Sequence, residues 1–186
     1  MTPSDAGRLV AFIIATAGLM TISWRSLFNI RSHGFFRFFA WETIVALVLW
    51  NLPFWFSDPL SIRQLFSWIV LGVSVVLLWQ GVTLLRTGKP VGHRAESELF
   101  AFEKTTELVT SGVYRYIRHP LYASLMYLSW GAFLKDISWS STVLTVAAGA
   151  CLVATARADE RECVQYFGPQ YEQYMKKTKM FIPLVF

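Results

Sequence analysis

Apolar residues fall in five runs nearly free of charge: Leu9–Ser23, Ala40–Phe56, Gln64–Leu85, Leu121–Leu134 and Ile137–Ala156. A helix needs roughly 20 such residues to cross the hydrocarbon core of a bilayer, with roughly 17 to 25 as the working range. The third and fifth runs meet that length. The second does so once Gly34–Phe39 joins it, with Arg37 snorkelling from the helix end. The first is marginal. The fourth is short, and reaches the far side only as half of a helical hairpin turning at Lys135–Trp139. The pattern predicts an all-α integral membrane protein of about five transmembrane helices, with four as the fallback count. The first run lacks signal-peptide character and is expected to be retained: Arg8 is its only early basic residue, Asp5 precedes it, and no small-residue cleavage site follows.

The polar residues divide the chain at about Arg86, within one membrane domain spanning 1–186. Three spans with few polar residues occupy 1–85. The remainder, 86–186, holds a polar loop, the short hairpin and a charged tail. Gly88, Pro90 and Gly92 make Thr87–Ala95 irregular, Glu96–Glu107 is ambiguous, and Thr110-Ser111-Gly112 reads as a turn. Pro120 suits the first turn of the fourth helix, where a missing N–H costs nothing. The residue before a proline is pushed away from helical angles, so His119 is expected to be extended at that helix's mouth. An unpaired helix N-terminus attracts anions, and Arg115, Arg118 and His119 surround this one. The fifth helix is expected to run on to Phe167. Gly168-Pro169 breaks it, and an amphipathic helix follows from Pro169 to about Lys177 with Tyr171, Tyr174 and Met175 on one face.

Charge orients this arrangement. With the N-terminus outside, the inner segments collect Arg25, Arg31 and Arg37, then Arg86, Lys89, Arg94, Lys104, Arg115 and Arg118, then Arg157, Arg161, Lys176, Lys177 and Lys179. Only Arg8, Arg63 and Lys135 fall outside. This is the positive-inside pattern, and it accounts for the net charge of +5 without nucleic acid as a partner. Trp24, Trp41, Trp55, Trp68 and Trp139 are expected near span ends, as an aromatic belt. Two cysteines, Cys151 and Cys163, suggest neither a disulfide framework nor a zinc site, and His33 and His93 show no ligand-like company. Glu42, near the inner end of the second span, is either functional or held by a local polar contact. Gly72, Gly81 and Gly131 are expected to let helices approach closely.

The segment LVTSGVYRYIRHPLY (Leu108–Tyr122), followed by ARADERECVQYFGPQYEQYMKKTKMFIP (Ala156–Pro183), resembles the isoprenylcysteine carboxyl methyltransferase family, which is related to the membrane phospholipid methyltransferases. An ordered set carries the resemblance: LVTSG-x-Y, RHP-x-Y, an acidic pair, FG-x-x-Y-x-x-Y and a terminal I-P. It implies S-adenosylmethionine as methyl donor, in a cytoplasm-facing pocket of the C-terminal half. By that resemblance Tyr114, His119, Pro120, Leu121 and Tyr122 line the cofactor pocket, Leu108 and Val109 lie nearby, and Asp159 or Glu160 supplies a carboxylate. Arg118, Glu160 and Arg157 are the candidate catalytic residues. Arg157 stands two positions from Thr155, where eukaryotic members carry a substrate-binding arginine.

The residue types suit that chemistry. A carboxylate and tyrosine faces attract a sulfonium or ammonium, while a helix mouth and arginines take a carboxylate. No G-x-G-x-x-G follows a strand, so a soluble dinucleotide-type site is absent. No metal is expected. Methyl transfer to a carboxylate needs no base at neutral pH, whereas an amine acceptor needs one, and Glu160 or His119 is available. The expected acceptor is a lipid or prenylated amphiphile, either a prenylcysteine carboxylate or an amine head group. A non-catalytic membrane protein or transporter is the reading from another class.

Overall fold

A computed structural model describes residues 3–87, 108–183 and 185. Six α-helices form: α1 (Pro3–Ser23), α2 (His33–Asn51), α3 (Ile62–Thr87), α4 (Pro120–Phe133), α5 (Trp139–Phe167) and α6 (Pro169–Lys177). No strand occurs among the described residues, and a single isolated bridge pairs Ile117 with Lys179 in parallel. α1, α2 with the turn after it, α3 and α5 are long and apolar enough to cross a membrane. α4, with 14 residues, falls short of that length. The Thr87–Ala95 and Glu96–Glu107 expectations, and His93, lie outside the described residues apart from Thr87, which ends α3.

α2 begins earlier than the apolar pattern alone indicates, because Ser32 caps it and accepts from the Phe35 N–H at 3.2 Å. α2 packs on α5, α3 on α4, and α1 on the outer side of α2. Small residues make the close contacts: Ala40, Ala123, Ala148 and Ala156 are fully buried, around Ile44, Tyr122, Met126 and Leu152. Gly81 faces Leu121 and Gly131 faces Leu71, each closely enough that a Cβ would collide. Gly72 has nothing within 4 Å, so it serves no close approach.

Polar groups far from the motif region lock the hairpin turn. Asn51 donates to the Ala132 carbonyl at 2.8 Å and accepts from Ser141 at 2.9 Å. Lys135, expected at an outer surface, is instead wholly buried. Its ammonium lies 3.5 Å from the Trp68 ring centroid and donates to Gln64 at 3.0 Å. Cation–π attraction and a hydrogen bond offset the cost of burying the charge. Trp41 and Glu42 occupy the middle of α2 rather than an end. Glu42 there accepts from Thr16 of α1 at 2.8 Å, which is the local polar contact weighed above.

Candidate functional site at the mouth of the fourth helix

Three chain segments converge where α4 begins. Gly112 turns the chain with φ +58° against Leu84, a conformation and closeness that a side chain would oppose. A 3₁₀ turn, Gly112–Arg115, then carries Tyr114 into the interior. Next, 116–119 runs beside the tail: the Arg118 N–H donates to the Lys179 carbonyl at 2.8 Å and the His119 N–H to Met180 at 3.2 Å. The Lys179 N–H returns a bond to Tyr116 at 3.0 Å. The tail is thus a strap under the helix mouth, with Phe181 buried beneath His119.

His119 is the N-cap residue of α4, with φ −123° and ψ 62°, outside the helical region as Pro120 requires though short of full extension. Its carbonyl accepts from the Ala123 N–H at 2.8 Å. Its ring stacks on Tyr122, with centroids 5.5 Å apart. Two consecutive α5 residues meet the ring's two nitrogens: Nδ1 lies 3.4 Å from Asp159, and Nε2 3.3 Å from Glu160. Burial alone lowers the His119 pKa, but the hydrogen bonds and charges of Asp159 and Glu160 outweigh it and hold it above the usual value.

Arg118 is taken up by the fold itself. Its Nε donates to Glu160 at 2.8 Å, and its terminal nitrogen donates to the Met175 carbonyl at 3.2 Å and to the Thr178 carbonyl. The Arg118 guanidinium is therefore met by one of the chain's own carboxylates. A cavity opens beside it, walled by Leu108, Val109, Tyr114, His119, Pro120, Leu121, Tyr122 and Asp159. Arg118 also borders it, while Glu160 stands behind Arg118 and His119 and is absent from the wall. Arg157 and Arg115 are exposed and lie away from the cavity. Thr155 is buried, its hydroxyl bonded to the Cys151 carbonyl at 2.7 Å.

Leu85, Cys163, Phe167, Tyr171 and Tyr174 also line the wall, which the sequence pattern does not indicate. Helical spacing offers the signal for Cys163, four residues beyond Asp159 and with Sγ 3.7 Å from its Oδ1. The Tyr174 hydroxyl donates to the Tyr114 carbonyl at 2.6 Å, tying α6 to the 3₁₀ turn. Burial pushes both phenols up, so each stays neutral. His33 also departs from expectation. Its Nδ1 lies 2.6 Å from Glu162, and Asp159 stands close by, so it has two carboxylates for company.

A helical membrane protein with a polar, carboxylate-backed cavity under one short helix is the class that fold and site define. The family model for phospholipid methyltransferases matches residues 67–170, and the chain belongs to that family. A protein-S-isoprenylcysteine O-methyltransferase of Schizosaccharomyces pombe is 30% identical over 103 residues, covering 55% of this chain and 42% of that protein. The cobalt-zinc-cadmium resistance protein CzcN of Cupriavidus metallidurans is 30% identical over 149 residues, 79% of this chain and 63% of its own. A methanethiol S-methyltransferase of Pseudomonas deceptionensis is 22% identical, over 77% of this chain and 58% of its own. The chain thus spans between 42% and 63% of these relatives' length. No solved structure matches it significantly.

Proposed function

We propose that the protein is an S-adenosylmethionine-dependent methyltransferase acting on a lipidic or prenylated acceptor at the cytoplasmic face, most like carboxyl O-methylation of a prenylcysteine. One observation carries the reading. The Leu108–Tyr122 motif and Asp159, distant in sequence, line one cavity together. Its chemistry suits the cofactor: tyrosine faces and a carboxylate for a cation, leucine walls for a base and sugar, and the N–H groups of the first turn of α4 for a carboxylate.

S-adenosylmethionine, when bound, supplies an activated methyl group. Asp159 and the faces of Tyr114 and Tyr122 would attract its positive charge. The N–H groups of Leu121 and Tyr122, in the first turn of α4, would hold its carboxylate end. Leu85, Leu121 and Phe167 make part of the wall apolar, and water displaced from it by a bound cofactor would strengthen every electrostatic contact inside. The chain's main contribution is alignment, because an in-line displacement needs little proton chemistry. A carboxylate acceptor reacts as the anion it already is at neutral pH. Arg118 at the cavity's edge and Glu160 behind it support this site as a structural pair, while Arg157 lies outside the wall. The charge asymmetry along the chain supports a cytoplasmic orientation.

Calorimetry in detergent with S-adenosylhomocysteine tests the cofactor, and absence of binding overturns the reading. Radiolabelled cofactor with a prenylcysteine analogue or membrane lipids tests the acceptor. Label that alkali releases as methanol marks an ester; alkali-stable label in lipid marks N-methylation and overturns the carboxyl assignment.

A further inference from the structure

We propose that His33 is a positioning residue for the cavity carboxylate: its imidazole holds Glu162 aside, so that Asp159 keeps its place between the cavity and His119. The inference rests on the cofactor reading above. His33 opens α2 and is 1% exposed, far from the Leu108–Tyr122 motif in sequence. Glu162 accepts twice from it, from the backbone N–H at 2.9 Å and with its other oxygen from Nδ1 at 2.6 Å. Each oxygen of Glu162 therefore has a fixed donor, and α2 is pinned to α5 at the level of the cavity.

Asp159 lies three residues before Glu162, on the same face of α5. Polar atoms of His33, Asp159 and Glu162 all fall within 4.8 Å of one another. Two carboxylates that close repel, and the His33 ring is the donor that separates their demands. On its other side Asp159 faces His119 Nδ1 at 3.4 Å and borders the cavity. Arg37 also faces His33 from α2, and Arg118 completes the charged set from the segment before α4. Without the imidazole, Glu162 keeps only the backbone N–H. Asp159 then moves off His119 to escape its neighbour, and the cavity loses its anion. Because the backbone bond survives any side-chain change at 33, α2 still starts where it does.

The test measures S-adenosylhomocysteine affinity and methyl-transfer kinetics for full-length wild type, His33→Ala and His33→Asn in detergent. An asparagine amide nitrogen falls where Nδ1 stands, so it restores the bond to Glu162. His33→Ala is expected to weaken cofactor binding about tenfold with kcat at saturating cofactor unchanged, and His33→Asn to recover most of it. Wild-type affinity in folded His33→Ala overturns the proposal, as does equal weakness in the two variants, which would mark simple packing. Should His33→Ala not fold, Glu162→Ala carries the test. It frees His33 to draw Asp159 away from His119, so affinity again falls, and a folded variant with wild-type affinity overturns the idea. A wild-type chain that binds no cofactor overturns the cofactor reading instead.

Discussion

Arg118 and Glu160 meet at 2.8 Å with both side chains nearly buried, and the same guanidinium donates to two carbonyls at the end of α6. One side chain therefore joins the segment before α4 to α5 and to the tail. A buried pair contributes little relative to an apolar replacement, but removing one partner leaves an uncompensated charge. Arg118→Met is expected to destabilise the fold by about 3 kcal/mol. Arg118→Met combined with Glu160→Gln should recover much of that loss. Denaturation in detergent micelles measures both, and an additive double variant would contradict the coupling.

His119 links pH to stability. Its folded pKa is raised above 6.5, so its stabilising contribution is fully present below the unfolded value and is lost as pH rises through the raised one. The melting temperature of wild type is expected to fall relative to His119→Gln as pH climbs above about 6.5. Thermal shift across that range checks the sign; a gap that widens with pH would refute the charged pair.

Glycine positions separate packing from propensity. A Cβ at Gly131 would stand 2.6 Å from the Leu71 side chain and 3.3 Å from its backbone nitrogen. Gly131→Ala is expected to cost roughly 1–3 kcal/mol through overpacking. Gly72→Ala meets nothing within 4 Å and should be neutral or slightly stabilising, since alanine favours helix. Paired melting curves decide.

The Tyr174 hydroxyl donates to the Tyr114 carbonyl, so Tyr174→Phe removes a buried hydrogen bond between α6 and the 3₁₀ turn. A loss of about 1 kcal/mol is expected, together with weaker cofactor binding as the cavity wall loosens. Unchanged stability would show that α6 is held elsewhere.

Lys135 tests the far end of the molecule. Lys135→Met keeps the volume but removes the charge over Trp68 and the bond to Gln64. Because the cation–π term is worth about 2 kcal/mol when desolvated and the charge itself is costly to bury, Lys135→Met is expected to cost less than Lys135→Ala. Cofactor affinity should stay at the wild-type level in both.

Local rules carried the helices. Uncharged runs located each apolar helix, Gly168-Pro169 marked the join between α5 and α6, and Pro120 marked the start of α4. Pairings across long separations were not legible, because periodicity records only which face a residue takes. His33 with Glu162, 129 residues apart, is one such pairing. The tail strap is another: nothing in Thr178–Phe181 signals that its carbonyls accept from Arg118 and His119. Lys135 misled for the opposite reason. A lysine beside a turn reads as surface, and only the fold brings Trp55, Trp68 and Gln64 around it.

The brevity of α4 sets a depth. Fourteen residues rise about 21 Å, whereas the hydrocarbon core is about 30 Å thick. The helix is thus roughly 9 Å shorter than that thickness, and with its hairpin end at one boundary its mouth would lie below the level of the other. Such a site would act as a ruler. For the lipidic acceptor proposed above, it would select by how far the reactive atom stands from the greasy tail, and lengthening α4 by one turn should shift which acceptors fit rather than whether the cofactor binds.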